Sequence, residues 1–361
     1  MEFILPAVIS FLITVTFMFP VIFLAKKFNL VDNPKLRPHP AHIQKRIVPR
    51  AGGVAPFLGI IFAILIFIPL TETIVGIIFA LLILLLVGLL DDKYQNISPY
   101  LRLGSQFIAA AIIVVSGVSI NFITNPLGGI IYLNTINFTF SFLGLNQLIL
   151  LSDILAIIWI IWVMNMINWS KGVDGQMPSI TTVASIILGL LSIKLNLLGD
   201  FNQANTAKIA FATAGSSFGL LIFNWYPAKI FPAFSGSTVL GFMVAVLSIL
   251  SGAKLATAIL VLLIPATDFA YIFFRRIIQG KSPVWGDRGH LHHKLLDLGL
   301  SHQQISLFYA FGSVILGLIA LNLSSSGKLF ALVLMAIVIL GAILWLNFFG
   351  ALSKRHAPDN G

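Results

Sequence analysis

The chain has 361 residues, of which 58% are hydrophobic and 9% charged; its mean hydropathy is +1.00 and its net charge +10. Soluble domains carry about 25% charged residues, so a water-soluble globule is excluded and an integral membrane protein is indicated. The positive charge is read as loops beside a bilayer rather than a nucleic-acid surface, and the absence of cysteine excludes disulfides and thiolate metal sites.

Apolar runs long enough to cross about 30 Å of hydrocarbon predict eleven membrane helices, over 3–25, 54–70, 73–90, 104–120, 147–166, 179–195, 206–223, 236–251, 254–274, 305–322 and 328–350. The first reads as a membrane helix rather than a cleaved signal peptide, because its apolar core is too long and no small-residue cleavage site follows. The loop from Lys26 to Arg50 carries seven Lys/Arg. That places it in the cytoplasm, the N-terminus outside and the C-terminus in the cytoplasm. Alternation then leaves Lys194, Lys208, Lys254 and Lys328 as the outward cations among the 22 Lys/Arg. Between the fourth and fifth spans, "PLGG" followed by the alternating "INFTFSF" predicts a small outer β-hairpin near 121–146. The expected architecture is an all-α polytopic membrane protein, one domain over 1–350, with a disordered cytoplasmic tail at 351–361.

The polar residues collect in a few loops. The third span ends in "GLLDD", placing Asp91 and Asp92 at a helix C-terminus, where the helix dipole disfavours acids by about 0.3–1 kcal/mol. They either mark the membrane edge, with Lys93 as partner, or hold a cation; Mg²⁺ is typically bound by one or two carboxylates plus substrate phosphates. At the end of the fifth span, "NMINWSKGVDGQ" puts Asn165 and Asn168 on one helix face. Gly172 and Gly175 flank Val173 and Asp174 in a turn that suits a phosphate or a nucleobase edge, or that simply ends the helix.

"RRIIQGKSPVWGDRGHLHHK" sets Arg275, Arg276, Lys281, Arg288 and Lys294 around His290, His292 and His293. These side chains can bind a diphosphate, or form a topogenic basic loop. A zinc site is the weaker reading, since no cysteine helps and His292 adjoins His293. Asp268, within the ninth span, is either a packed polar residue satisfied by a neighbouring helix or a catalytic one, and Pro265 is placed to kink that helix. All these clusters fall on the cytoplasmic side of the predicted topology, so far-separated loops converge on one site.

The order "GLLDD", "NMINWSKGVDGQ", "SGSTVLGF", "SPVWGDRGHLHHKLLDLGLSHQQ" resembles the polyprenyl-phosphate N-acetylhexosamine-1-phosphate transferases over about residues 30–305. That group, glycosyltransferase family 4, includes phospho-N-acetylmuramoyl-pentapeptide transferases and undecaprenyl-phosphate GlcNAc-1-phosphate transferases; eleven spans and an outward N-terminus look more like the latter. The resemblance implies a multi-pass plasma-membrane enzyme of cell-envelope glycan synthesis, in peptidoglycan or lipopolysaccharide pathways. A UDP-activated amino sugar gives its sugar-1-phosphate to a polyprenyl (undecaprenyl) phosphate on the cytoplasmic leaflet, UMP is released, and Mg²⁺ is required. By resemblance Asp91 and Asp92 match the acidic pair, Asp91 as base and Asp92 as metal ligand with Asp174. His290, His292 and His293 join them as catalytic residues. Asn165, Asn168, Lys171, Asp174 and Arg288 are the expected substrate contacts, and a homodimer is the assembly left open.

Two departures matter. The family pattern N-x-x-N-x-x-D-G-x-D-G has Lys171 at its first acid, and F-x-G-D-x-G-S has Phe234 at its Asp and Ala233 at its Gly. Metal ligation has then shifted to Asp92, Asp174 or Asp268, or Lys171 carries part of the metal's charge. Otherwise the chain is a non-catalytic relative that binds polyprenyl phosphate or nucleotide. A working transferase with an altered site is the favoured expectation, because the other loops keep their polar sets. A transporter with an Asp/His proton relay ranks last, since such groups sit near the midplane of repeated, broken helices.

Overall fold

The computed structural model describes residues 1–34, 46–125, 129–135, 150–252, 255–282 and 289–355. Every predicted apolar run is helical: α1 (Ile4–Lys27), α2 (Val54–Phe67), α3 (Glu72–Tyr94), α4 (Pro99–Val115), α5 (Leu150–Trp169), α6 (Gln176–Leu197), α7 (Gln203–Asn224), α8 (Ala233–Leu250), the pair α9 (Leu255–Val261) and α10 (Leu263–Ile278), α12 (His302–Asn322) and α13 (Ser325–Arg355). The short α11 (Leu291–Asp297) adds a helix that hydropathy does not reveal. Eight of these helices are long and apolar enough to cross a membrane, nine if the bent pair counts as one. With 14 residues, α2 is about 21 Å long at 1.5 Å per residue, and α4 is also below the usual crossing length.

Local chemistry sets the helix ends. Thr71 and Ser98 cap α3 and α4 through their hydroxyls, Pro99 takes the first turn of α4, and Ser301 with Gln304 forms a capping box on α12. The 84° bend between α9 and α10 follows from Pro265. Its ring cannot donate to the carbonyl of Val261, the last residue of α9, and clashes with it, so the chain breaks at Leu262 and restarts. The kink expected at Pro265 is thus expressed one turn earlier, as a full break.

α8 is the axis of the bundle. Nearly all of its residues are buried, and it packs on α2, α3, α5, α6, α7 and α9. α1, α12 and α13 turn large apolar side chains outward, as lipid contact requires. A short antiparallel pair, β1 (Val31–Asp32) with β2 (Val48–Pro49), clasps the ends of the basic loop. Pro49 and Gly52 then bond the backbone of Phe231 just ahead of α8. The far ends of α3, α5 and α7 meet the loop ahead of α2 and the starts of α4, α6, α8 and α12 at one end of the bundle.

Two local expectations change. The predicted hairpin is present, but its strands are β3 (Phe122–Thr124) and β4 (Ile130–Tyr132), flanking "PLGG" rather than following it. The turn needs Gly129 at φ +84°, so the Gly signal marked the loop itself. "INFTFSF" lies outside the described residues. The tail expected to be disordered from 351 is helical through Arg355, because α13 continues to that residue.

Candidate active site

Asp91 and Asp92 stand in the last turn of α3 and are buried, at 2% and 0% exposure. Their unfavourable position at a helix C-terminus is offset by groups from three other segments. Asp92 Oδ1 accepts from the backbone N–H of Phe234 at 2.8 Å, and Oδ2 from Ser235 Oγ at 2.5 Å and the Ala51 N–H at 3.2 Å. Phe234 N–H is one of the orphan donors in the first turn of α8, so the negative end of α3 meets the positive end of α8 through a carboxylate. Arg50 Nη2 lies 3.6 Å from Asp92 Oδ1 and 4.0 Å from Asp91 Oδ2. Arg102, from the first turn of α4, grips Asp91 Oδ1 with Nε at 2.7 Å and Nη2 at 2.5 Å.

This junction needs close backbone approach. A Cβ on Gly53 or Gly88 would run into the backbone of Ser235. Ala233, at the family's glycine position, holds φ +53°, a left-handed conformation that costs a non-glycine residue about 1–2 kcal/mol.

Lys171 follows directly. Its Nζ donates to Asn168 Oδ1 at 2.6 Å, and the same oxygen accepts from Ser237 Oγ at 2.8 Å. Two cations approach the Phe234 ring: Lys171 Nζ is 5.9 Å from its centroid and the Arg102 guanidinium 5.5 Å. Desolvation, reinforced by Arg50 and opposed by Asp92 and Asp91, lowers the Lys171 ammonium to a pKa of about 7. Asn165 turns elsewhere: its Nδ2 donates to Gln106 Oε1 at 2.7 Å, joining α5 to α4.

The next residue ties this cluster to the histidines. Gly172 lies against His292 so closely that a Cβ there would overlap Nε2. His290, His292 and His293 are all buried. The rings of His290 and His292 stack at 5.3 Å, and those of His292 and His293 tilt at 4.5 Å. Burial, with the neighbouring imidazoles, pushes His292 well below the usual histidine range. Asp268 holds the group in place, accepting from His290 Nδ1 at 2.9 Å and the Leu291 N–H at 2.8 Å. Trp169 lies edge-on to His290 at 5.5 Å, with the Arg276 guanidinium 5.3 Å from its own ring.

Asp174 belongs to a separate edge of the site. Its Oδ2 accepts from the Ala228 N–H at 3.0 Å and faces Arg46 Nη2 at 3.6 Å. Arg46 lies over the Tyr226 ring, which is tilted against His302.

The structure therefore joins Asp91, Asp92, Asn168 and Lys171 to His290, His292 and His293 through the Lys171–Gly172 step, and leaves Asn165 on another face. Arg288 lies outside the described residues. Sequence reasoning did not select Arg50, Arg102 or Trp169. The two arginines hide in loops whose charge reads as topogenic, and only pairing with the acids separates them from other cations. Asp268 had a visible signal, a carboxylate inside an apolar helix, but its histidine partner was not deducible.

The Mg²⁺ implied by the resemblance can be tested against this donor set. Both oxygens of Asp92 are occupied by protein donors, and Asp174 is held by Ala228 and Arg46. Lys171 and Phe234 stand where the family pattern has acids. Among the described residues no three His, Asp or Glu side chains converge as a metal-binding group, which also leaves the zinc reading of the histidines without support. These residues do not fit a divalent cation as they stand.

Fold and site together define a multi-pass helical membrane protein whose buried polar and charged groups converge at one end of the bundle. Residues 74–252 match glycosyl transferase family 4. The chain is 30% identical over 320 residues to the undecaprenyl-phosphate alpha-N-acetylglucosaminyl 1-phosphate transferase of Pasteurella multocida, covering 86% of this chain and 84% of that one. It is 29% identical over 353 residues to a probable undecaprenyl-phosphate N-acetylglucosaminyl 1-phosphate transferase of Bacillus subtilis, covering 95% and 87%. The decaprenyl-phosphate N-acetylglucosaminephosphotransferase of Mycolicibacterium smegmatis is 28% identical over 321 residues, with 81% and 75% covered. The chain belongs to glycosyl transferase family 4, and the enzyme class expected from its motifs, a phosphoglycosyl transferase, stands.

Proposed function

We propose that this protein transfers an N-acetylhexosamine-1-phosphate from a UDP-sugar to a polyprenyl phosphate such as undecaprenyl phosphate, releasing UMP, at the cytoplasmic face of the plasma membrane in envelope glycan synthesis. The observation that carries this reading is the convergence of Arg50, Arg102 and Lys171 around Asp91 and Asp92, joined through Gly172 to the buried histidines. Both reactants are anions, so the site's first task is to bring negative charges together; catalysis of this type is mainly positioning and electrostatic stabilisation. A phosphate monoester is already largely ionised near neutral pH. Asp91 therefore serves to orient the acceptor and its arginines rather than to remove a proton. Its Oδ2, 4.0 Å from Arg50, is the least committed carboxylate oxygen of the pair. The histidines face the donor's diphosphate, and Asn168 and Asp174 its nucleotide end.

One observation favours a second reading, a non-catalytic binder of polyprenyl phosphate or nucleotide: Phe234 and Lys171 occupy the two family acid positions. The test is release of UMP by protein purified in detergent with undecaprenyl phosphate and a panel of UDP-sugars, with and without Mg²⁺. UMP release with at least one sugar is expected. Retained binding of lipid phosphate with no UMP from any sugar supports the binder.

A further inference from the structure

We propose that Arg50, Arg102 and Lys171 together take the electrostatic role of a divalent cation, so that phosphoglycosyl transfer in this protein needs no bound metal. The inference rests on the transferase reading above, and its test reads metal binding separately from turnover.

The first argument is occupancy. Mg²⁺ demands near-octahedral oxygen ligation at about 2.0–2.1 Å, yet both Asp92 oxygens already face donors. Two of these, the N–H groups of Ala51 and Phe234, are backbone and cannot rotate away. An ion seated on Asp92 would compete with these donors and would lie against the Arg50 guanidinium, 3.6 Å from Oδ1.

The second is charge. Arg50 and Arg102 lie against Asp91 and Asp92, and Arg102 and Lys171 both approach the Phe234 ring, which gathers the five groups in one place. With Lys171 protonated, a form that a bound anion favours, three cations against two carboxylates leave net positive charge for an incoming phosphate. A metal ion added to them would meet repulsion from all three.

The third is what separates the cations. The Phe234 ring stands at the position where the family pattern has its Asp, and it offers its π system to both Arg102 and Lys171. That attraction keeps two like charges close without neutralising either. Asn168 fixes the Lys171 ammonium from the other side.

The reaction needs nothing more than charge from this cluster. An acceptor-phosphate oxygen forms a bond to the β-phosphorus of the UDP-sugar. The bond from that phosphorus to the bridging oxygen breaks, and its electron pair leaves on UMP. No net proton or electron is exchanged. Guanidinium forks and an ammonium bind phosphate oxygens in this manner.

The experiment uses the untagged full chain in detergent. Mn²⁺, a spectroscopic stand-in for Mg²⁺, is titrated and followed by electron paramagnetic resonance, while UMP release is measured with EDTA or with Mg²⁺. No stoichiometric Mn²⁺ site and equal turnover in EDTA and Mg²⁺ are expected. Lys171→Met is expected to lower turnover about 10²–10³-fold, the scale of one lost stabilising donor. The double variant Lys171→Asp/Phe234→Asp is expected to acquire a Mn²⁺ site; should it not fold, the wild-type titration decides alone. One Mn²⁺ bound to wild type and displaced by Mg²⁺, or turnover that appears only with Mg²⁺, overturns this inference while leaving the transferase reading intact. No turnover under either condition overturns the transferase reading itself and this inference with it.

Discussion

Gly172 packs on His292 with no space for a methyl group between them. This contact is what makes one site of two clusters, since Lys171 precedes the glycine and the imidazoles stack behind it. Gly172→Ala is expected to lower stability by about 1–3 kcal/mol, the usual cost of overpacking. It should lower kcat/KM by at least about 10²-fold, because an ångström of misplacement has that effect. Thermal unfolding and UMP release measure the two. A variant with wild-type values in both would mean that the loops are not held in register here.

The two aspartates are expected to respond differently to amidation. Asp92→Asn presents an NH₂ group to a backbone N–H or to Ser235 and leaves Arg50 facing a neutral partner. Removing one member of such a buried set costs about 3 kcal/mol. Asp92 therefore carries part of the fold as well as part of the site. Asp91→Asn keeps an acceptor for Arg102, whose side chain is 32% exposed and reaches water, so its stability cost is expected to be smaller than that of Asp92→Asn. Unfolding midpoints of the two variants, compared in one detergent, check this; equal shifts would contradict the difference in their surroundings.

Lys171 sets an alkaline limit to activity. Its ammonium is lowered to a pKa of about 7, chiefly by desolvation and secondarily by Arg50, against the pull of Asp92 and Asp91. The cation is present below that pH and lost above it, so kcat/KM, which reports the free enzyme, is expected to fall as pH rises through about 7. A bound anion favours the ammonium, so the limb in kcat lies higher. His292 is held far below this window and does not supply the limb. Lys171→Arg, charged throughout, is expected to move the fall to higher pH. A flat kcat/KM profile between about pH 6 and pH 9 would exclude the Lys171 cation from the rate.

Much of the fold was legible because the bilayer imposes it. Long apolar runs have to be helices, and the predicted runs are helical, the ninth as the broken pair α9 and α10. The Pro265 signal was visible, although its expression as a break at Leu262 depended on the clash with Val261. The hairpin near "PLGG" was legible from the glycines, which mark its turn, while its strands are the short segments on either side of that turn. The site was legible where rare residues gather, as at Asp91, Asp92 and His290 to His293. It was not legible where abundant ones act. Arg50 and Arg102 look like topogenic charge, and nothing in "NMINWSKGVDGQ" says that Asn168 turns to Lys171 while Asn165, one turn earlier, turns to Gln106. Pairing between segments far apart in sequence decides those cases.

Asp268 offers the clearest separation of positioning from packing. One carboxylate oxygen meets His290 Nδ1 and the other accepts from the Leu291 N–H, which fixes the orientation of the imidazole and turns its Nε2 away from Asp268. Asp268→Asn keeps an acceptor for the Leu291 N–H but turns an amide NH₂ toward Nδ1, favouring the opposite tautomer. A stack of buried imidazoles with one ring in the wrong tautomer presents donors where acceptors stood. The expected result is a fall in kcat of about 10²-fold, the low end of general acid–base and hydrogen-bonding contributions, with KM changed less than about twofold and the unfolding midpoint little altered. A merely structural Asp268 would show the reverse, a lowered midpoint with kcat intact, and that pattern would remove it from the catalytic arrangement.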